Sequence, residues 1–303
     1  MSVGENSIRV VVIALLANLG IATAKFVGAF FTQSASLLAE AIHSLVDCTN
    51  QVFLLIGSKK AAKPPSETHP LGYGREAFFW SFMVAILLFS MGGLFAIYEG
   101  IHKISDQGEV SSPVASLLIL SVSLILEGYS FNACLHEVRK QNPYNTLWKW
   151  FRKTTSSELL VIFTEDAAAM LGLSVATFCV LMAWLTGNAK WDAIGSISVG
   201  FVLVVVAALL AIEVKSLIIG EASTADFKKF IEEQMAEFIP QGRVLRLIAL
   251  QIGSNEVMLS YKVSTGTIQD TKTLISAINS IEKKVKERFS QVRWQFVEPD
   301  DLA

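Results

Sequence analysis

Residues 36–57 read SLLAEAIHSLVDCTNQVFLLIG, and residues 158–185 read ELLVIFTEDAAAMLGLSVATFCVLMAWL. Both stretches are long and apolar enough to cross a bilayer, which takes ~20 residues of helix. Each nevertheless carries ionisable side chains at depth: His43 and Asp47 in the first, Glu165 and Asp166 in the second. A carboxylate within a membrane costs roughly 2.5–3.5 kcal/mol on insertion scales. The two stretches therefore predict a functional site inside a membrane domain.

The composition divides the chain into two parts. It is 52% hydrophobic and 17% charged, with a mean hydropathy of +0.49, whereas soluble domains carry about 25% charged residues. The long apolar runs lie in residues 1–220, and residues 221–303 have the composition of a soluble domain. We expect an all-α bundle of six transmembrane helices followed by a small cytosolic α+β domain. The net charge of -2 gives no basic footprint for nucleic acid.

The apolar runs define the membrane spans. We predict six of them, at residues 8–31, 35–58, 77–104, 112–138, 157–186 and 191–219. Lysine and arginine are concentrated in the loops after the second and fourth spans, and the loops on the opposite side hold few. By the positive-inside rule, both termini should face the cytoplasm.

The tail combines two periodicities. Period-2 alternation in VLRLIALQI and EVMLSYKV predicts strands, and the spacing of TLISAINSIEKKVKERF predicts an amphipathic helix. The predicted order is helix 224–238, strand 244–251, strand 256–263, helix 270–288 and strand 292–297. Two helices should cover a three-stranded sheet.

Polar residues in the second span share one helical face. Glu40, His43, Asp47 and Asn50 follow one another at spacings of three, four and three. A histidine and an aspartate one turn apart, facing further carboxylates, suit a divalent metal, and imidazole binds zinc when it is neutral. We predict His43, Asp47 and Asp166 as ligands, because the two aspartates should lie at similar depth if their helices are adjacent.

Glu165 and two amides have alternative interpretations. Glu165 lies about 100° around the helix from Asp166, so it is either a ligand or a group that supports the ligands or relays protons. Asn18 in the first span, like Asn50, either supplies an amide oxygen to the metal or makes a hydrogen bond between helices.

Further buried charges remain after this assignment. Glu40 and Glu127, in the second and fourth spans, are candidates for a proton path or for packing. Lys25 either extends to the outer surface or pairs with a carboxylate. The competing interpretation of the whole cluster is a set of polar contacts between helices. Cys48, Cys134 and Cys179 lie in apolar segments without metal-binding spacing and are expected to be core residues.

Taken together, these residues resemble the cation diffusion facilitator family over essentially the whole chain. The resemblance rests on His43-x-x-x-Asp47, on HPLGYGRE at residues 69–76 and on FTEDAAAMLG at residues 163–172. The segments EAIHSLVDCTNQ and DAIGSISVG look most like the branch that contains the mitochondrial zinc transporter nine of animals.

The resemblance implies a function. Members of the family export divalent metal in exchange for protons, usually as homodimers, and their cytosolic domain is a ferredoxin-like domain of metallochaperone type that dimerises or regulates. The chain is thus expected to be a Zn²⁺/H⁺ antiporter, not an enzyme, with metal as its substrate and no cofactor. Its short N-terminus fits a prokaryotic member in a bacterial inner membrane. Export of Mn²⁺, Fe²⁺ or Co²⁺ and an uncoupled metal channel or scaffold are the alternatives.

The chain departs from the family pattern at three places. Zinc members usually carry a second histidine or aspartate four residues before the ligand in the fifth span, and here that residue is Ile162. Tyr73 replaces the second histidine of a loop site found in some members. The tail holds no histidine or cysteine, so we expect dimerisation through apolar and polar contacts rather than through bound metal.

Overall fold

The structure is a computed structural model that describes residues 5–105, 112–142, 146–223, 226–254 and 256–300. The helical elements are α1 (Glu5–Thr32), α2 (Ala35–Ala61), α3 (Glu76–Leu87), α4 (Phe95–Ser105), α5 (Pro113–Gln141), α6 (Leu147–Lys153), α7 (Ser157–Thr186) and α8 (Lys190–Ile219). A π-helical segment, Leu88–Leu94, joins α3 to α4, so these three pieces form one continuous helix.

All six predicted spans coincide with long helical segments. Within the described residues, four helices are both long and apolar enough to cross a membrane: Glu76–Ile104, Pro113–Lys140, Ser157–Thr186 and Lys190–Ile219. α1 and α2 are helical over their predicted lengths, and their crossing of the membrane stays a prediction. The short α6, within the basic loop after the fourth span, was not predicted.

Small residues bring the helices of this bundle close together. A Cβ atom on Gly93 would lie 3.2 Å from the carbonyl oxygen of Gly200, and one on Gly200 would lie 2.7 Å from that of Gly93. The π-helical segment and α8 therefore touch backbone to backbone, as small residues allow in membrane helices. The bundle core is apolar around Leu37, Leu173 and Leu203.

The start of α2, which carries the predicted site, is held by α8. The buried carboxylate of Asp192 accepts hydrogen bonds from Ser34 Oγ at 2.7 Å, Ala35 N at 2.6 Å and Ser36 N at 3.2 Å. Free N–H groups at a helix start need acceptors. A side chain from another helix supplies them here, so the position of α2 depends on α8.

The tail forms the predicted α+β layers. Its elements are α9 (Phe227–Phe238), β1 (Val244–Gly253), β2 (Glu256–Ser264), α10 (Thr271–Arg288) and β3 (Val292–Asp300). β2 is central, antiparallel to β1 and parallel to β3. Both helices pack around a core that includes Ile231, Leu259 and Ile281. The start of α10 is capped by Asp270, and hydrogen bonds from Thr273 lower the pKa of that carboxyl.

Two compact units can be separated among the described residues, and the second contains more than the tail. It comprises Ser58–Phe78 and Lys153–Ser156 together with the chain from Lys215 onward. In this unit the indole Nε1 of Trp294 donates to the carbonyl of Leu71 at 3.1 Å. A Cβ on Gly74 would lie 2.5 Å from the carbonyl of Ile252. The HPLGYGRE turn is thus packed against the sheet.

Candidate metal site

The polar face of α2 lies inside the helical bundle. Glu40, His43 and Asn50 are at most 1% exposed, and the side chain of Asp47 is 18% exposed. His43 Nδ1 and Asp47 Oδ1 are 3.7 Å apart, as expected for side chains one turn apart on one face. The structure thus brings the predicted histidine and aspartate of α2 together.

α7 lies beside this face and runs antiparallel to α2. Asn50 Nδ2 donates to Glu165 Oε1 at 2.5 Å. Ten residues earlier on α2, Glu40 Oε1 lies 2.8 Å from the position that a Cβ on Gly172 would occupy. Because Asp47 falls between these two contacts, it lies level with the part of α7 that carries the two acids.

The two acids of α7 face different neighbours. Glu165 is 7% exposed and faces α2 through Asn50, whereas Asp166 accepts a hydrogen bond from Ser130 Oγ of α5 at 3.4 Å. Glu127, one turn before Ser130 on α5, interacts electrostatically with both Asp47 and Asp166. The cluster therefore extends over three helices and is strongly acidic.

A buried lysine partly offsets this negative charge. Lys25 of α1 is 1% exposed, and its Nζ lies 3.5 Å from Glu40 Oε2 and donates to Ser44 Oγ at 2.7 Å. Of the two interpretations of Lys25, pairing with a carboxylate is therefore correct. Burial of both partners gives the pair little of the screening that water provides at a surface.

The candidate ligand side chains in the described part of the chain do not point at one common position. Within the described residues, no three His, Cys, Asp or Glu side chains are arranged to hold a metal ion. Both ring nitrogens of His43 and Oδ1 of Asp47 are buried and have no hydrogen-bond partner in that part of the chain. Buried polar atoms are normally satisfied, so these are donor atoms suited to a cation.

The other residues considered in the sequence lie outside the cluster or support it. Asn18 lies half-buried on α1, and no hydrogen bond within the described chain joins it to the cluster. Ile162 is 39% exposed and supplies no ligand atom.

Ser130 and Ser44 were not identified from the sequence as members of the cluster. Their signal was spacing, because Ser130 follows Glu127 by three residues and Ser44 follows Glu40 by four. The three cysteines are buried and free, as predicted.

Comparison with known proteins adds a family to this geometry. Residues 11–219 match the model of the cation efflux transmembrane domain. The chain belongs to the cation efflux family. All the candidate ligands lie within the matched region, which is a transmembrane domain of a family whose members are transporters rather than enzymes.

Individual relatives of this cation efflux protein carry more specific names. "Proton-coupled zinc antiporter SLC30A9, mitochondrial" of Mus musculus is 33% identical over 204 residues, 67% of this chain and 36% of that protein. Its Xenopus laevis counterpart is 30% identical over 258 residues, 84% of this chain and 46% of the relative. "Metal tolerance protein C4" of Arabidopsis thaliana is 30% identical over 225 residues, 72% and 48% respectively. The chain thus spans less than half the length of these relatives.

Proposed function

We propose that the protein exports divalent metal, with Zn²⁺ as the main substrate, in exchange for protons. The observation that carries this proposal is the pairing of the buried His43 with the largely buried Asp47 on the face of α2 that meets Glu165 of α7 through Asn50. The names of the relatives support zinc and protons as substrates. We propose further that the protein works as a homodimer in the lipid bilayer of a bacterial inner membrane. Both termini would then lie in the cytoplasm.

The contacts around α2 support the ligand set that we propose. His43 and Asp47 supply one nitrogen and one carboxylate, and Glu165 and Asp166 supply carboxylates from the opposite helix. One imidazole among the ligands favours Zn²⁺ over Mg²⁺ or Ca²⁺. Asn50 Nδ2 holds Glu165 towards α2, and Asn50 Oδ1 is buried without a hydrogen-bond partner among the described residues, so Asn50 both orients a ligand and offers an amide oxygen to the ion.

Proton exchange follows from the chemistry of these ligands. Imidazole and carboxylate bind metal only when they are deprotonated, so protons compete with the metal for the same atoms. Protonation from the outer side would release the ion, and loss of the protons on the cytosolic side would restore the site. Glu127 on α5 and Glu40 on α2 are the acids beside the cluster through which protons could pass.

Export of Mn²⁺, Fe²⁺ or Co²⁺ is the second candidate. It is favoured by the carboxylates around Asp47 and Asp166, which outnumber the single imidazole. Carboxylate oxygens are ligands that suit Mn²⁺, whereas imidazole suits Zn²⁺. The mechanism would be unchanged, and only the ranking of the metals would differ.

The test is metal flux into proteoliposomes that contain the purified protein, with and without an imposed pH gradient. Zn²⁺, Mn²⁺, Fe²⁺ and Co²⁺ are compared in parallel. Flux should follow the gradient, rank Zn²⁺ first and disappear in Asp47→Asn and Asp166→Asn. The matched control is Asp226→Asn at the cap of α9, which should transport normally. Flux that ignores pH would indicate a channel, and normal flux in Asp47→Asn would refute the site.

A further inference from the structure

A lateral pocket of about 520 Å³ lies at the end of α1, the start of α2 and the end of α4. This volume falls in the range of roughly 300–1,000 Å³ that is typical of small-ligand sites. The pocket involves none of the proposed metal ligands. Its walls are apolar, with Phe26, Val27, Phe30 and Leu38 among them, and two charged residues, Glu99 and Lys103, line it as well.

Two aromatic residues that line the pocket, Phe30 and Phe31, are exposed at the surface of the helical bundle. Phe30 is 72% exposed and Phe31 is 70% exposed, and their rings meet edge to face at 5.5 Å. On a membrane helix, side chains exposed in this way face lipid, so an acyl chain can enter the pocket from the side. Aromatic residues are also enriched where membrane helices reach the headgroup region.

The two charges in the pocket do not pair with each other. Glu99 and Lys103 are one turn apart on α4, an arrangement that usually forms an ion pair. Here Lys103 Nζ donates instead to the backbone carbonyl of Gln33 at 2.7 Å. Within the described residues Glu99 has no hydrogen-bond or ion-pair partner, and Lys103 keeps two of its three N–H donors. The pocket therefore offers a ligand one negatively charged hydrogen-bond acceptor, Glu99, and one positively charged donor, Lys103.

We propose that this pocket binds a zwitterionic phospholipid with a primary ammonium headgroup, of the phosphatidylethanolamine class. The ammonium group donates to Glu99, the phosphate accepts from Lys103, and an acyl chain lies along Phe26 and Phe30. Such charge-assisted contacts are about twice as strong as neutral hydrogen bonds.

Other ligands fit the two charges less well. A metal ion would be repelled by Lys103. An anionic phospholipid would leave Glu99 without a cation, and a choline headgroup has no N–H group to donate. Because Lys103 also holds the turn at Gln33, the bound lipid would stabilise the junction between α1, α2 and α4.

The test uses the full chain in detergent, delipidated and then titrated separately with dioleoyl phosphatidylethanolamine, phosphatidylcholine and phosphatidylglycerol. Native mass spectrometry measures the bound lipid, and thermal unfolding measures stabilisation. Phosphatidylethanolamine should bind about tenfold more tightly than phosphatidylcholine, which corresponds to one charge-assisted contact. Glu99→Gln should remove this preference, and Lys103→Gln should weaken both zwitterionic lipids.

Controls separate this site from general lipid adhesion and from transport. Lys190→Gln removes an exposed lysine at the start of α8, outside the pocket, and should leave lipid binding unchanged. The wild-type comparison of ethanolamine with choline lipids depends on no variant, so a variant that misfolds does not remove the test. Equal binding of the two lipids, or a preference for phosphatidylglycerol, would overturn the proposal. So would loss of zinc flux in Glu99→Gln in vesicles that contain no phosphatidylethanolamine.

Discussion

Removing the charge of Lys25 should destabilise the helical bundle by about 3–5 kcal/mol, because it leaves a carboxylate buried without a partner. Lys25 and Glu40 are 1% and 0% exposed, and their charged atoms are 3.5 Å apart. At an effective dielectric constant of about 20, two unit charges at that distance attract each other by roughly 5 kcal/mol. The hydrogen bond from Lys25 to Ser44 would be lost in addition.

The variant to make is Lys25→Met, which keeps a long unbranched side chain, one heavy atom shorter than lysine, and removes the charge and the N–H donors. Its midpoint of thermal unfolding, measured in one detergent with chelator present, should fall by roughly 6–20 °C, at about 2–4 °C per kcal/mol. The double variant Lys25→Met/Glu40→Gln removes both charges and should regain most of the loss. Lys190→Met, at an exposed position, is the matched control and should unfold like the wild type.

Two results would refute this reasoning. If Lys25→Met unfolds at the wild-type temperature, the pair contributes nothing to stability, and Glu40 is neutralised by a proton or by another partner. If the double variant is as unstable as the single one, the loss comes from packing around the lysine chain rather than from an unpaired charge.

Other parts of the structure make independent predictions. Zinc at about 100 times its Kd should stabilise the folded protein by about 2.7 kcal/mol, and His43→Ala should abolish the shift in a thermal unfolding assay. Gly74→Ala should destabilise the second unit by about 1–3 kcal/mol, because the new Cβ would lie 2.5 Å from a backbone carbonyl oxygen, and protease should then cleave the HPLGYGRE turn faster. In the control Gly20→Ala, the new Cβ meets no atom of the described residues within 4 Å, so this change should be neutral or slightly stabilising. Asp192→Ala should cost about 1–2 kcal/mol, as a lost helix cap does, and hydrogen exchange at the start of α2 should accelerate.

Much of the fold could be predicted from local patterns alone. The six long helical segments follow from apolar runs, and the tail elements follow from the switch between period-2 and period-3.6 spacing, with ends that differ from the structure by a few residues. The shared face of His43 and Asp47 likewise depends only on helical geometry. Features set by residues close in sequence were therefore accessible.

Features that depend on distant partners could not be predicted. Glu165 faces Asn50 while Asp166 faces Ser130, and that division depends on which helices flank α7. The π-helical segment was also missed, because an apolar run does not distinguish a π-helical turn from an α-helical one. The packing of the turn at Leu71 on the sheet required knowledge of a contact with a residue more than two hundred positions away.

The central claim is that one imidazole and several carboxylates from α2 and α7 hold the transported ion. X-ray absorption at the zinc edge of the loaded protein tests it directly. We predict one nitrogen at about 2.0–2.1 Å and oxygens at about 2.0–2.2 Å, without sulfur, and loss of the nitrogen shell in His43→Ala. A sulfur shell near 2.3 Å, or a spectrum unchanged in His43→Ala and Asp47→Asn, would contradict the account.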